Sequence, residues 1–143
     1  MLIGEYKHTL DDKNRLSIPS KFRSQLKPGA VITKGLDECL FIYTKQAWDA
    51  WAIKLSALPI SQSTSRAFSR MMLGGAMEVE LDKQGRVILP DYLKEYARLA
   101  KYVVIAGLYD RLEVWDADSW LQYKMRTEKD SNHIAETMAE LGV

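Results

Sequence analysis

"LDDKNRLSIP" at residues 10–19 recurs as "LDKQGRVILP" at 81–90, and the architecture follows from that recurrence. Superposing the two stretches pairs Leu10 with Leu81, Asp11 with Asp82, Arg15 with Arg86 and Pro19 with Pro90, at a constant offset of 71. The likeness continues past the proline. A short helical segment follows in both copies, "SKFRSQL" and "DYLKEYARL". Pro19 and Pro90 suit a first helical turn, and Phe22/Leu26 and Leu93/Ala97 supply inward i, i+4 pairs. Then come a strand ("AVITKG" or "YVVIAG"), a turn ("LDE" or "LYD") and another strand ("CLFIY" or "RLEVW"). One inserted residue has moved the offset to 72 here, so Gly35 matches Gly107, Leu40 matches Leu112 and Tyr43 matches Trp115. Each copy then enters a helix capped by Thr44 or Asp116, with Trp48 or Trp120 four residues on.

Each copy therefore reads strand, tight turn, strand, short helix, strand, turn, strand. Its roughly 40 residues are too few for an independent core. The two copies must share one, each completing the other's sheet, in a pseudo-symmetric pair. We divide the chain into a first unit (1–48), a helical connector (49–75), a second unit (76–119) and a C-terminal helical segment (120–143). In the connector, Trp48, Trp51, Ala52 and Leu55 form a helical stripe ended by Pro59, and "STSRAFSRMML" forms a helix stopped by Gly74 and Gly75. Its stripe of Phe68, Met71 and Met72 packs either within the chain or against a neighbouring molecule, and a long connecting segment with several exposed apolar candidates favours the neighbour. The final segment carries Trp120 and Tyr123 on one helix and Ile134, Met138 and Leu141 on the next.

Composition narrows the class. The longest apolar runs, such as "YVVIAGLY" at 102–109, fall short of the roughly 20 residues a spanning helix needs, and no signal peptide opens the chain. This predicts a cytoplasmic protein. A lone cysteine, Cys39, excludes an internal disulfide, and with only His8 and His133 beside it no structural zinc set exists. The formal charge of +1 means that any nucleic-acid surface comes from local clustering or from many assembled copies. Lys7, Lys13, Arg15, Lys21, Arg23 and Lys27 against Asp11 and Asp12 make one such cluster.

In "DDKNR" and "DKQGR" the residue before the arginine is Asn14 or Gly85, the types that most easily accept positive φ, so each stretch is a tight hairpin. Asp11 and Arg15 can pair across it, as can Asp82 and Arg86. Two roles are compatible with this pairing. The carboxylate braces the turn and holds the arginine as a strut, or a stiff ribbon presents arginine, with Lys13 or Lys83 beside it, to the DNA major groove.

"GEYKHTLDDKNRLSIPSKFR", "ELDKQGRVILP" and "DRLEVWD" together resemble the MraZ family of bacterial transcriptional regulators, built from two SpoVT/AbrB-type domains. The resemblance covers essentially the whole chain. It implies a mainly β, α+β fold with a swapped-hairpin β-barrel core and peripheral helices. It also implies self-assembly into an octamer-like ring, and a cytoplasmic, nucleoid-associated protein that binds short direct repeats of double-stranded DNA in the promoter of a division and cell-wall gene cluster. No cofactor is implied. The family's DxxxR motif maps to Asp11 and Arg15 and to Asp82 and Arg86; Asn14 stands where that turn more often has glycine.

Charge favours the first unit as the DNA-contacting one. Lys7, Lys13, Arg15, Lys21 and Arg23 lie on or near its hairpin, whereas the second unit offsets its bases with Glu78, Glu80, Asp91 and Glu95. Arg86, with Lys83 beside it at the second tip, then serves mainly as a strut or an interface residue. The tryptophans at 48, 51, 115 and 120 have core spacing. An enzyme is not expected: no nucleophile pairs with a base, no glycine loop cradles phosphate, and no carboxylate cluster has metal spacing. The alternative is a protein-binding, antitoxin-like AbrB module whose acidic tail wraps a partner.

Overall fold

The computed structural model describes residues 1–143, and its elements come in the repeated order that the sequence predicts. The first copy runs β1 (Leu2–Thr9), β2 (Arg15–Ser17), α1 (Ser20–Leu26), β3 (Ala30–Lys34) and β4 (Leu40–Thr44), followed by helices α2 (Lys45–Ser56) and α3 (Ser63–Gly74). The second runs β5 (Met77–Val79), β6 (Arg86–Ile88), α4 (Asp91–Tyr96), β7 (Tyr102–Tyr109) and β8 (Arg111–Asp116), followed by α5 (Ala117–Lys129) and α6 (Ser131–Ala139). The helix entries are capped as expected: Thr44 accepts from the amide of Ala47 and Asp116 from that of Ser119.

Four of the six strand pairings cross between the copies. β1 pairs with β7 over eight residues, β5 with β3, β4 with β8, and β2 with β6, all antiparallel. Two of these pairings place repeat counterparts opposite each other: Leu16 faces Val87, and Phe41 faces Glu113. A local twofold axis therefore runs through those two pairs. The mixed α+β character holds, but the strands do not close into a barrel. Six form an open sheet in the order β1-β7-β8-β4-β3-β5, and β2 and β6 form a separate ribbon. The reason lies in the tight turns. β2 forms no ladder with β1: a single bridge joins Leu10, just past the end of β1, to Leu16, and β2 pairs with β6 instead.

Both faces of the sheet are covered, which explains the near-continuous apolar runs of β3, β4, β7 and β8. On one face the ribbon lies with α1 and α4, closing a core that includes Leu16, Ile18, Phe22, Leu26, Val87, Leu89, Leu93 and Ala97 against Ile32, Ile42, Ile105 and Val114. The expected i, i+4 pairs of both short helices are fully inward. On the other face Phe41, Tyr43 and Trp115 meet α2, α3 and α5 through Trp48, Trp51, Phe68, Met71 and Trp120. The expectation that Phe68, Met71 and Met72 face a neighbour is therefore corrected. Met72 is fully buried and the other two pack on this second cluster, because α3 folds back along β3, where Thr33 Oγ1 donates 2.6 Å to the carbonyl of Met72. The last helix behaves differently. α6 buries no residue, and Ile134 and Leu141 stay exposed.

Candidate nucleic-acid interface

The two repeated turns have the same backbone. Asn14 N–H donates to the carbonyl of Asp11 at 3.1 Å, and Gly85 N–H to that of Asp82 at 3.0 Å. The fourth residue then turns left-handed, with φ 58° at Asn14 and 75° at Gly85. A type I turn followed by a left-handed residue is a standard three-residue hairpin loop, and Asn and Gly are the residues that tolerate it.

Each aspartate caps its own turn. Asp11 Oδ1 accepts from the amides of Lys13 (2.9 Å) and Arg15 (2.8 Å), while its Oδ2 takes the Arg15 Nε at 2.6 Å. Asp82 accepts from the amides of Gln84 and Arg86 and from Arg86 Nε, all at 2.9 Å. The backbone amide of the arginine, foremost among these donors, holds both carboxyls below their ordinary value. In each pair the bond engages Nε, the inner edge of the guanidinium. Arg86 adds one donation from Nη2 to Gln84 Oε1, whereas both terminal amino groups of Arg15 have no partner within the chain. Bracing and presentation are thus the same geometry, since a guanidinium fixed at its Nε loses less freedom when its outer edge is bound.

The ribbon brings the two arginines together. Leu16 and Val87 point inward, so Arg15, Ser17, Arg86 and Ile88 occupy the opposite, solvent-facing side. Arg15 lies opposite Ile88 and Ser17 opposite Arg86. The arginines are diagonal neighbours on one face, about 7–8 Å apart at that register. Burying Leu16, Ile18, Val87 and Leu89 beneath this face contributes roughly 1.5–3 kcal/mol each, so its backbone is firmly held.

Because the copies exchange strands, each short helix supports the other copy's turn. Arg23 of α1 donates from Nε to the carbonyl of Ile18 at 2.8 Å and lies over Gly85. In the mirrored place Asn14 donates to Asp91 of α4 at 2.6 Å and accepts from Lys94 at 3.2 Å. Asn14 thus fills with its side chain the space that Gly85 leaves to Arg23.

This redistributes the charge. Arg23 and Lys27 gather with Lys83 and Asp82 in a shallow groove at the second turn. Lys13 stays exposed at the tip of the first. Lys21 is exposed on α1, 5.7 Å from the centre of the Tyr6 ring. Lys7 lies on the other side of β1 and lines the cleft beside α5, where Glu5 accepts from Trp120 and Lys124. The structure therefore gathers Lys13, Arg15, Arg23, Lys83 and Arg86 around the ribbon and leaves Lys7 apart. Sequence reasoning missed Ser17, Ile88, Asp91 and Lys94. A twofold pairing of the repeats about Leu16 and Val87 is the signal that would have found them.

Comparison of the sequence with known proteins points to a family. The family model described as "MraZ protein, putative antitoxin-like" matches residues 1–71 and again 72–141. The transcriptional regulators MraZ of Moorella thermoacetica and Clostridium acetobutylicum are each 47% identical to the chain over 143 residues, covering all of both chains. That of Thermoanaerobacter pseudethanolicus is 43% identical over the same span.

The chain belongs to the MraZ family.

Both MraZ repeats carry one DxxxR turn, and the ribbon joins the two turns on one face. No helix is long and apolar enough to cross a membrane. No group of three or more His, Cys, Asp or Glu side chains is placed to hold a metal ion.

Proposed function

We propose that this chain is a sequence-specific DNA-binding regulator of transcription that lays its two-stranded ribbon into the major groove. Arg15 and Arg86 reach base edges or phosphates, and Lys13, Lys83, Lys21 and Arg23 flank them. The observation that carries this reading is the shared solvent face of both braced arginines. A ribbon of two strands has the width of the major groove, and a guanidinium held by its Nε still offers a two-pronged edge to guanine or phosphate. The exchanged strand pairing supports a swapped-hairpin core of the AbrB kind, with the ribbon standing on an open sheet. The name that the relatives carry supports regulation of transcription.

One ribbon makes too few contacts to hold DNA at physiological salt. A ring of copies on short direct repeats, in the promoter of the division and cell-wall cluster, multiplies them by making later contacts intramolecular. Exposed Ile3, Leu108, Leu121 and Met125 along β1, β7 and α5 support such subunit contacts.

The test is retardation of the DNA upstream of the protein's own gene. Affinity should fall steeply as salt rises, and Arg15→Ala and Arg86→Ala should each weaken binding about tenfold or more while the protein stays folded, its melting temperature only slightly lowered because the backbone amides still hold Asp11 and Asp82. Unchanged affinity in both variants overturns the reading. Sedimentation should show many times 16.4 kDa, and a monomer at micromolar concentration removes the ring. A protein-binding, antitoxin-like role is favoured only by the exposed α6; deleting residues 131–143 should then abolish partner capture and spare DNA retardation.

A further inference from the structure

The repeat is symmetric in backbone and asymmetric in chemistry on the face that matters. Ser17 and Ile88 are counterparts, each two residues past its arginine. Ser17 sits beside Arg86 and Ile88 beside Arg15. Ile88 is 65% exposed, although the strand around it buries Val87 and Leu89 to 1%. A single exposed isoleucine is unremarkable on most surfaces. This one stands at one end of the ribbon, opposite Arg15 and two residues from Arg86 on its own strand, where a side chain projects away from the core.

The DNA major groove displays one apolar group, the C5 methyl of thymine. Resting on the DNA-binding reading above, we propose that Ile88 is a base-discriminating residue that packs against a thymine methyl next to the base pair or phosphate held by Arg15. Ser17, a hydroxyl at the equivalent place beside Arg86, supplies no such contact. The two ends of the ribbon therefore read different chemistry, and a pseudo-twofold frame gains a single reading direction. That matches repeats arranged head to tail better than a palindrome.

The contact makes a specific demand on the DNA. The probe is the fragment upstream of the protein's own gene, made with thymine and with deoxyuridine, which lacks only the methyl group. The full-length chain should bind the uracil fragment about 3- to 5-fold more weakly for each methyl in contact, the loss expected for one buried methyl-sized group. Ile88→Ala should bind the thymine fragment weakly by a similar factor and be indifferent to the exchange, whereas Ile88→Val should retain discrimination. Because Ile88 projects into solvent, both variants should keep the parent melting temperature. If Ile88→Ala does not fold, the thymine-to-uracil comparison on the parent and on Ile88→Val still decides.

Equal discrimination by Ile88→Ala and the parent overturns the proposal, as does no discrimination by the parent. So does an altered sedimentation coefficient of Ile88→Ala, which would assign the side chain to a subunit contact. Failure of the parent to retard any fragment defeats the DNA reading itself. Loss of binding on Arg15→Ala with no effect at Ile88 defeats this inference alone.

Discussion

Arg23 of the first copy lies over Gly85 of the second, so close that a Cβ built on the glycine would occupy the place of the arginine Nε. The contact joins residues far apart in the chain and locks a helix of one unit onto the turn of the other. It also explains why the turn residues differ between the copies. At the first turn the buttress is α4, whose Lys94 and Asp91 bond the side chain of Asn14, so a side chain is needed there.

Gly85→Ala should therefore destabilise by roughly 2–3 kcal/mol, combining left-handed strain at φ 75° with displacement of Arg23 from the Ile18 carbonyl. In an Arg23→Ala background the same change should cost only the strain, about 1–2 kcal/mol. Urea denaturation of the four proteins measures the difference, and strict additivity would refute the coupling.

The braced turns predict an acid limit. Asp11 and Asp82 are held below 3.8, first by the backbone amides of Arg15 and Arg86. A carboxylate depressed on folding contributes stability that is complete above its unfolded value and lost as pH falls through its folded one. The melting temperature should thus decline below pH of about 4, and Asp11→Asn with Asp82→Asn should be less stable at pH 7 but flatter in acid. Parallel curves for the variant and the parent would count against it.

His8 should titrate late. Burial, with the charge of Arg23 as a second cause, lowers its affinity for a proton below the ordinary 6.5. The folded state takes up that proton less readily than the unfolded chain, so stability begins to fall as pH drops below 6.5 and continues to fall until the folded value is passed. Proton NMR of the imidazole should show a low midpoint that rises in Arg23→Ala while staying below 6.5.

At the twofold axis the copies face each other with unlike residues. Glu113, 8% exposed, pairs in register with Phe41, accepts from Trp115 Nε1 at 3.0 Å and from Arg111 at 3.1 Å, and Arg111 lies 4.7 Å above the Phe41 ring. Glu113→Ala strands a half-buried guanidinium and an indole N–H, and should cost about 3 kcal/mol. Arg111→Cys with Glu113→Phe copies the residues of the first unit, Cys39 and Phe41, and should recover the part of that loss due to the stranded guanidinium while the Trp115 N–H stays unpaired. Differential scanning calorimetry on the single and double variants decides.

Local chemistry was legible in the sequence. Asn14 and Gly85 announce left-handed positions, Thr44 and Asp116 announce caps, and Phe22/Leu26 and Leu93/Ala97 announce inward faces, because each depends on neighbours within five residues. The exchange between copies was legible only as a need for a shared core. Strands of three residues have no pattern long enough to reveal that β2 pairs with β6, so the common face of Arg15 and Arg86 was missed. That Arg23, bonded to Ile18 of its own copy, also lies over Gly85 was not legible for the same reason, since that glycine belongs to the other copy. Glu113 was read only as a residue of the strand "RLEVW", although its partners Arg111 and Trp115 stand two residues to either side on the same face of β8, a signal that alternation along the strand could have supplied. An open sheet replaced the expected barrel because the turn after Leu10 leaves β2 a single bridge, to Leu10, and no ladder with β1.

The crossed pairings have a historical and kinetic meaning. Each half offers the other what a second molecule would offer in a symmetric dimer, so the connector works as a tether that makes the encounter independent of concentration. Once two partners travel on one polypeptide, their positions are also free to drift apart. Ser17 and Ile88, Asn14 and Gly85, and Phe41 and Glu113 are divergences that a true homodimer, with one gene for both sides, could never accumulate.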